Sequence, residues 1–194
     1  MRRILLARHG ETEWNAIGRM QGHTDVPLSD VGRAQARALA AQLAGAEIAA
    51  IVTSDLVRAR ETGEIIAAAL GLGAPAIEPA LRERRFGVFE GLTRDECAAR
   101  YPDAWRAWHE RTGGPEGSEP RQLASARIAE ALARIAAGEA GWQPGAGQGP
   151  VLVVTHGGLM RIWLTDVLGE DVPPIRNTAL FALEHDGSRF LVRR

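Results

Sequence analysis

Two short apolar runs in the chain each end abruptly in polar residues and glycine. Residues 4–7 lead into Arg8-His9-Gly10, and residues 151–155 lead into His156-Gly157-Gly158. Apolar runs of this length that are bounded by turn residues are typical of buried strands. We therefore predict two buried strands that present histidine side chains at their carboxyl ends.

Strand-like and helix-like patterns alternate after the first run. Residues 48–53 predict a further buried strand, and residues 58–70 predict a helix that Gly71 ends. Ser29 can cap a helix that runs to about Ala44. The residues expected on the buried faces of these helices are Val31, Ala34, Ala38 and Leu39 on the first, and Ile65, Ile66 and Ala69 on the second.

The middle of the chain has a mainly helical pattern. Residues 93–109 predict a helix that Pro102 breaks, and residues 123–137 predict a long alanine-rich helix. Residues 138–150 hold five glycines and two prolines, which predicts a loop. We expect the span of about 93–137 to be a helical insertion.

The last part of the chain completes the pattern, with a helix predicted over residues 159–168 and a hairpin formed by residues 179–183 and 190–192. Strands that alternate with helices predict an α/β fold with a mostly parallel central sheet covered by helices on both faces, a three-layer α/β/α arrangement. We expect residues 1–194 to form one domain. Ligands of such sheets bind beyond the carboxyl ends of the strands, where both histidines are expected.

Composition narrows the classes of partner. The formal net charge is −1, so no electrostatic feature favours nucleic acid or a membrane surface. The single cysteine, Cys97, cannot form an internal disulfide, which favours the cytoplasm. The N-terminal apolar run is too short for a signal peptide, and a membrane-spanning segment is not expected. Oligomeric state stays open, with a homodimer among the alternatives.

The two strand-end histidines come with arginines. Arg8 precedes His9, and Arg58 opens a helix just after the second predicted strand. Two guanidinium groups, two imidazoles and helix N-termini fit an anion with several oxygens, and phosphate fits best. A metal site is the first alternative, but two histidines without a Cys or Asp/Glu cluster at ligand spacing are too few for a closed site.

Five segments carry a resemblance that covers nearly the whole chain. They are residues 6–15 (Leu-Ala-Arg-His-Gly-Glu-Thr-Glu-Trp-Asn), 21–29 (Gln-Gly-His-Thr-Asp-Val-Pro-Leu-Ser), 54–62 (Ser-Asp-Leu-Val-Arg-Ala-Arg-Glu-Thr), 81–87 (Leu-Arg-Glu-Arg-Arg-Phe-Gly) and 154–158 (Val-Thr-His-Gly-Gly). In this order they resemble the histidine phosphatase superfamily, which includes phosphoglycerate mutases and many phosphatases.

This resemblance implies a role for each central residue. His9 is the expected nucleophile that forms a phosphohistidine, and Glu83 is the expected proton donor. Arg8, Arg58 and a protonated His156 are expected to hold the phosphoryl oxygens. The chemistry agrees, because a neutral imidazole is a good nucleophile, fixed positive donors stabilise a transferring phosphoryl group, and an alkoxide needs an acid to leave. Neither a metal nor a cofactor is required.

For some of the substrate-binding candidates the sequence leaves two interpretations open. Asn15 either caps a turn or contacts phosphate. Gln21, Gly22 and His23 resemble a loop that frames the substrate, although His23 is equally consistent with an ordinary exposed loop residue. Gly157 lets the backbone approach a ligand.

Trp105, Trp108 and the segment of residues 115–120 are further candidates for the surroundings of the site. Trp105 and Trp108 are more typical of a core than of a recognition surface, although they and the helical insertion are expected to roof the site. Residues 115–120, Pro-Glu-Gly-Ser-Glu-Pro, depart from the Gly-Glu-Ser of many relatives, which leaves contacts from this segment open.

The predicted function is hydrolysis of the phosphomonoester of a small metabolite, with no nucleic acid or membrane partner. A phosphoglycerate mutase is the alternative, but mutases of this family are longer, and a shorter, more open site lets water reach the phosphohistidine. A non-catalytic phospholigand-binding protein is a weaker alternative, since His9, Glu83 and the arginines are all present. Because Glu83 must carry a proton when the leaving group departs, mildly acidic to neutral pH is expected to favour activity.

Overall fold

The computed structural model describes residues 2–139 and 149–193. One sheet of six strands runs in the order β3-β2-β4-β1-β5-β6. Its strands are β1 (Arg2–Arg8), β2 (Ala50–Thr53), β3 (Ala76–Ile77), β4 (Val151–Thr155), β5 (Leu180–His185) and β6 (Phe190–Arg193). The first four strands are mutually parallel, and β5 and β6 are antiparallel additions at one edge. The predicted mostly parallel sheet and the terminal hairpin are confirmed.

Seven α-helices lie in the described part of the chain. They are α1 (Glu13–Ala16), α2 (Asp30–Leu43), α3 (Val57–Leu70), α4 (Arg94–Arg100), α5 (Pro102–Glu110), α6 (Arg121–Ala137) and α7 (Gly157–Leu168). Short 3-10 turns at Pro79–Leu81 and Gly87–Phe89 connect β3 to α4. The break predicted at Pro102 is confirmed, because α4 ends two residues before it and α5 begins on it. The loop predicted over 138–150 lies mostly outside the described residues.

Alternate residues of the central strands enter two separate cores. Ile4 and Leu6 of β1 pack with the apolar faces of α6 and α7, whereas Ala7 packs with α2 and α3 on the opposite face. In β4, Val153 and Leu152 divide between the two cores in the same way. Side chains of a strand alternate between the faces of a sheet, so a strand buried on both faces is apolar throughout. The three-layer α/β/α prediction is confirmed.

The predicted insertion of residues 93–137 divides into two parts. Helix α6 is part of a covering layer, with Ile128, Leu132 and Ile135 fully buried against the sheet. Helix α5 instead packs against Phe89, which contacts the rings of Trp105 and Trp108.

The face predicted for α2 is largely wrong. Leu39 is buried as expected, but Val31, Ala34 and Ala38 are exposed. The helix instead packs through Gly32, Ala36, Leu39, Ala40 and Leu43. Apolar residues occur all around this alanine-rich helix, so their spacing does not specify one face. The close contact of Gly32 with the backbone of Glu11 sets the rotation of the helix, since a Cβ on Gly32 would lie 2.0 Å from the Glu11 carbonyl oxygen.

The ends of both predicted helices are confirmed, but the face of α3 is only partly so. The Ser29 hydroxyl accepts a hydrogen bond from the Gly32 N–H at 3.0 Å, and Gly71 ends α3 in the left-handed conformation. Ile66 is buried and Ile65 half-buried, whereas Ala69 is exposed. The inward face of α3 includes Gly63, which packs closely against Thr53 of β2 and so turns Ala69 outward.

Candidate active site

The carboxyl ends of β1 and β4 lie side by side and bring the two histidines together. Arg8 is in register with Thr155, and the His9 N–H donates to the Thr155 carbonyl at 3.0 Å. The rings of His9 and His156 have their centroids 5.1 Å apart. The pairing of two strand-end imidazoles inferred from the sequence is therefore present.

His9 is buried and its tautomer is set by the backbone. Its Nδ1 lies 2.6 Å from the Gly10 carbonyl oxygen, which can only accept, so Nδ1 carries the proton and Nε2 carries the lone pair. Burial, followed by the positive charges of Arg58 and Arg8, lowers the pKa of His9 well below its usual 6.5. His9 therefore presents a neutral, unprotonated Nε2 near pH 7.

Arg58 lies in the first turn of α3 and is 1 % exposed. Its Nε donates to Nδ1 of His156 at 3.2 Å, and its terminal nitrogens donate to the carbonyl oxygens of Gly22 at 2.8 Å and Thr24 at 2.9 Å. Burial lowers the pKa of Arg58 to about 10, so the guanidinium keeps its charge at neutral pH. A single side chain thus fixes both an imidazole and the loop over residues 21–24.

His156 is neutral, which corrects the protonated form expected from the sequence. Its Nδ1 accepts a hydrogen bond from Arg58, so the ring proton lies on Nε2. Burial, followed by the charge of Arg58, lowers the pKa of His156 well below 6.5. Its Nε2 is buried without a partner among the described residues. His156 can therefore donate one hydrogen bond to a ligand oxygen.

Arg8 lies against the first turn of α7. One terminal nitrogen donates to the Ile175 carbonyl at 2.6 Å, while Nε is buried without a partner in the described part of the chain. A Cβ on Gly157 would lie 2.9 Å from both Cδ and Nε of Arg8, so glycine is what allows this approach. The helix N-terminus and the guanidinium thereby face the same space, an arrangement that favours an anion.

Glu83 sits at the same helix terminus and is 7 % exposed. Its Oε2 accepts from the Gly158 N–H at 2.9 Å, and its Oε1 accepts from the Arg84 N–H at 2.8 Å. A Cβ on Gly158 would lie within 3.0 Å of all three carboxyl atoms. Two backbone N–H donors hold the carboxyl group in place. The lack of a side chain at residue 158 leaves the space that the carboxyl group occupies.

The predicted substrate loop packs onto the segment that carries Glu83. Nε2 of His23 lies 2.8 Å from the Glu83 carbonyl oxygen, and Oε1 of Gln21 is buried without a partner among the described residues. His23 is half-buried, which is at variance with an ordinary exposed loop residue. Glu90 joins the two segments, because its carboxylate accepts from the N–H groups of His23 and Phe86 at 3.2 and 2.9 Å.

Asn15 completes the capping box of α1 with Thr12 and also lines the cavity at this edge of the sheet. Its Oδ1 accepts from the Thr12 N–H at 3.2 Å and from Nδ2 of Asn177 at 3.3 Å. These bonds use Oδ1 and not the Nδ2 group. The two interpretations of Asn15 are thus compatible, since a capping residue here still presents an amide donor to the cavity.

The sequence reasoning missed Asn177 and Glu90. Nδ2 of Asn177 donates to the His9 carbonyl at 3.0 Å as well as to Asn15, and the residue lines the cavity. The signal that could have indicated it is the polar triplet 176–178 directly before the apolar run of β5, which pairs with β1. Glu90 gave no signal, because its partners lie in segments that the sequence does not show to be neighbours.

The site opens into a cavity of about 860 Å³. The predicted site residues that line it are Arg8, His9, Asn15, Gln21, Arg58, Glu83 and Gly157. Arg58 hydrogen-bonds to His156 and to the Gly22 carbonyl, and His23 borders a second, smaller cavity. Trp105 and Trp108 are half-buried and line the main cavity, so they belong to its wall as well as to the cluster around Phe89.

Within the described residues, no group of three or more His, Cys, Asp or Glu side chains could hold a metal ion. No helix in that part of the chain is long and apolar enough to cross a bilayer.

Comparison with known proteins decides the family. The family model described as "Histidine phosphatase superfamily (branch 1)" matches residues 4–194. The chain belongs to the histidine phosphatase superfamily. The resemblance drawn from the five sequence segments is confirmed.

Individual relatives cover most of this histidine phosphatase superfamily member. The glucosyl-3-phosphoglycerate phosphatase of Mycolicibacterium vanbaalenii is 39% identical over 173 residues, which cover 87% of this chain and 75% of that protein. The metal-independent phosphoserine phosphatase of Arabidopsis thaliana is 38% identical over 162 residues, covering 81% of this chain and 65% of that protein. A solved mycobacterial glucosyl-3-phosphoglycerate phosphatase in complex with VO3 superposes with a TM-score of 0.86 at 34% identity, covering 100% of this chain and 98% of that chain.

Proposed function

We propose that this chain is a metal-independent phosphatase that hydrolyses the phosphomonoester of a small metabolite through a phosphohistidine on His9. The observation that carries the proposal is the hydrogen bond from Nδ1 of His9 to the Gly10 carbonyl, which leaves an unprotonated Nε2 beside Arg8, Arg58 and Glu83. The named phosphatases among its relatives support the same reaction class.

In the first step, Nε2 of His9 attacks phosphorus and the bond to the ester oxygen breaks. The imidazole becomes cationic as it bonds to phosphorus, and the Gly10 carbonyl stabilises that charge through the Nδ1 proton. Glu83 gives its proton to the departing oxygen, which leaves as an alcohol rather than as an alkoxide.

The oxygens of the transferring phosphoryl group need fixed donors. Arg8 and Arg58 supply positive charge, and the Nε2 proton of His156 supplies a neutral hydrogen bond. These groups are held in place before the substrate arrives, by carbonyl oxygens and by one another, so little reorganisation accompanies the reaction.

In the second step, water attacks the phosphohistidine. The Glu83 carboxylate takes a proton from the attacking water, inorganic phosphate leaves, and His9 returns to its neutral form. Splitting one difficult displacement into two easier ones is the advantage of the covalent intermediate.

Mutase activity is the alternative, in which the phosphohistidine returns its phosphoryl group to a bound metabolite instead of to water. The named phosphatases among the relatives favour water as the acceptor. Incubation with 3-phosphoglycerate and a trace of 2,3-bisphosphoglycerate separates the two activities. We expect release of phosphate, and rapid isomerisation without release would support the mutase.

We also propose a cytoplasmic location, because the one cysteine of the chain is a buried free thiol. A homodimer is an open alternative that sedimentation of the purified protein can decide.

Substitution of the nucleophile tests the proposal directly. His9→Ala is expected to abolish phosphate release while ligand binding is largely kept, and rapid quenching of the wild-type enzyme should trap an acid-labile, alkali-stable phosphoryl group that the variant lacks. His185→Ala, on β5 away from the cavity, is the matched control and should keep full activity. Unchanged turnover in His9→Ala would defeat the proposal.

A further inference from the structure

Thr62 ends the third of the five sequence segments, and the proposed reaction gives it no role. The residue is fully buried in α3, one helical turn after Arg58. Its hydroxyl donates to the Arg58 carbonyl at 2.7 Å and accepts from the Gly10 N–H at 3.1 Å. A hydroxyl has one proton, so the bond to Arg58 directs its lone pairs toward Gly10. Thr62 therefore holds the backbone directly after the nucleophile.

Asn177 holds the other end of the same peptide group. The peptide that joins His9 to Gly10 has the His9 carbonyl at one end and the Gly10 N–H at the other. Nδ2 of Asn177 donates one proton to that carbonyl at 3.0 Å and its second proton to Oδ1 of Asn15 at 3.3 Å. The peptide is thus hydrogen-bonded at both ends, by α3 and by the loop before β5.

Helix α2 restrains Gly10 from a third side. A Cβ on Gly10 would lie 2.5 Å from the Gly32 carbonyl oxygen and 3.1 Å from the Gly32 Cα, so the two backbones are in direct contact. Gly32 belongs to the first turn of α2. Contacts from α2, α3 and the loop before β5 therefore oppose any movement of the His9–Gly10 peptide.

The restrained residue also carries the atom that sets the tautomer of His9. The Gly10 carbonyl oxygen lies 2.6 Å from Nδ1 of His9, and the N–H of the same residue bonds to Thr62. If Gly10 is displaced, the bond to Nδ1 weakens and the ring proton can move to Nε2, which then has no lone pair for phosphorus. The hydrogen bonds to the peptide thus act on the nucleophile without touching the substrate.

We propose that Thr62 and Asn177 are positioning residues of the phosphoryl transfer, which hold the His9–Gly10 peptide so that Nε2 of His9 faces phosphorus unprotonated. The inference rests on the phosphatase function above, because it assigns the origin of the nucleophile's geometry. Asn177 has a second effect that Thr62 lacks, since its other proton holds Oδ1 of Asn15 and leaves the Asn15 amide group directed at the cavity. The two residues consequently differ in their effect on phosphate binding.

Thr62→Val removes the hydroxyl and keeps the shape of the side chain. The Gly10 N–H loses its acceptor, and we expect phosphohistidine formation to slow by roughly 10- to 100-fold, a loss typical of a misplaced reacting group. The burst of p-nitrophenol from p-nitrophenyl phosphate measures this step, because that leaving group needs little protonation by Glu83. The Kd of inorganic phosphate should stay within about twofold of wild type, because Thr62 is not among the residues that line the cavity.

Two further threonine variants separate positioning from general damage to the core. Thr62→Ser keeps the hydroxyl, so it should regain most of the burst rate although a buried methyl group is lost. Thr53→Val is the matched control, because Thr53 is also fully buried but its hydroxyl has no hydrogen-bond partner among the described residues. A burst rate of Thr62→Val equal to that of Thr53→Val contradicts the proposal. A burst rate of Thr62→Ser as low as that of Thr62→Val contradicts it as well.

Asn177→Ala tests the other end of the peptide at a half-buried position, where truncation is less damaging to folding than in the core. We expect the burst rate to fall as in Thr62→Val, and the Kd of inorganic phosphate to rise at least about threefold because Asn15 loses an orienting donor. Gln42→Ala, which removes an exposed amide from α2 outside the cavity, is the control. A burst rate equal to that of Gln42→Ala contradicts the role of Asn177, and an unchanged Kd contradicts its effect through Asn15.

The ring nitrogens of His9 give a readout that needs no turnover. In NMR spectra of protein with isotopically labelled histidine, the wild type should show His9 with its proton on Nδ1 alone, and His9→Ala assigns the signal by its loss. Thr62→Val and Asn177→Ala should show a second tautomer with the proton on Nε2. A second tautomer in these variants together with no phosphohistidine in the wild type would support the positioning role and sink the proposed reaction. Normal hydrolysis by the wild type with the same single tautomer in every protein would do the reverse.

Discussion

The Nε of Arg58 donates a hydrogen bond to Nδ1 of His156 over 3.2 Å, so a buried guanidinium fixes the tautomer of a buried imidazole. The same arginine holds the carbonyl oxygens of Gly22 and Thr24. Arg58 therefore has two tasks at once. It supplies charge to the phosphoryl site and it ties the substrate loop to the sheet edge.

Arg58→Lys tests whether geometry matters as well as charge. A lysine ammonium keeps the positive charge but cannot reproduce three donors in the planar arrangement of a guanidinium. We expect kcat to fall by roughly 10²–10³, the loss typical of removing a preorganised donor. Steady-state phosphate release measures this, with Arg60→Lys on the exposed side of α3 as the control. Activity within a factor of three of wild type would show that charge alone is enough.

Glu83→Gln should affect substrates according to their leaving groups. The amide is close in shape to the acid but cannot deliver a proton, so alkyl phosphates are expected to lose roughly 10²–10⁴ in kcat. p-Nitrophenyl phosphate, whose leaving group needs little protonation, should lose far less in its phosphorylation step. Burst kinetics with both substrate types measure that step, and Glu116→Gln in the exposed loop is the control. Equal losses for the two leaving groups would argue against Glu83 as the acid.

Stability should depend on pH through the two buried histidines. The pKa values of His9 and His156 are lowered in the folded protein, so below about pH 6.5 the unfolded chain takes up protons that the folded chain does not. The free energy of unfolding is therefore retained above pH 6.5 and falls as the pH falls below it, by up to about 1.4 kcal/mol per pH unit for each histidine.

Urea unfolding at pH 7.5 and pH 5.0 measures this dependence. The variant His9→Asn/His156→Asn should lose less stability between the two pH values than the wild type, and His185→Asn should behave as the wild type. Only the pH slope is compared, since the double variant also loses the hydrogen bond from Arg58. Identical slopes in all three proteins would contradict the prediction.

Gly158→Ala should damage catalysis without unfolding the protein. The new Cβ would lie 2.8 Å from Oε1 and 2.9 Å from Oε2 of Glu83, so the carboxyl group must move. Alanine is otherwise favourable in the first turn of a helix. We expect kcat to fall at least about 10-fold, because a shift of one ångström in a catalytic group costs about that or more. Gly45→Ala, where the added Cβ meets nothing within 4 Å, is the matched control.

The sequence was sufficient for the parts of the site that a single strand or helix end defines. His9 and His156 follow apolar runs, and Arg58 opens a helix, so local pattern places them at one edge of the sheet. Glu83 and the loop over residues 21–24 came only from the family resemblance, because no local pattern fixes a side chain in an irregular segment. Asn177 was missed, because the polar triplet before β5 indicates the site only once the pairing of β5 with β1 is known.

The protonation state of His156 and the buried face of α2 depend on tertiary contacts that the spacing of residues in the sequence does not reveal. The protonation state of His156 depends on which ring nitrogen accepts the hydrogen bond from Arg58, and nothing in the sequence favours a neutral ring. The face of α2 follows from the contact of Gly32 with Glu11, because alanines on every side of the helix make several faces equivalent. In both cases a contact between segments that are distant in the sequence selects one of several states, and the sequence pattern alone favours none of them.

The pairing of β1 sets the order in which the molecule can form. Although β1 precedes the other described strands in the chain, it pairs with β4 and β5, which lie at residues 151–155 and 180–185. A ribosome must therefore make most of the chain before the central strand has any neighbour, and the loops that close in this pairing are long, which slows folding. His9 acquires its surroundings only when His156 and Asn177 have been made. A nascent chain that stops before β4 would contain the nucleophile His9 but would have no phosphatase activity.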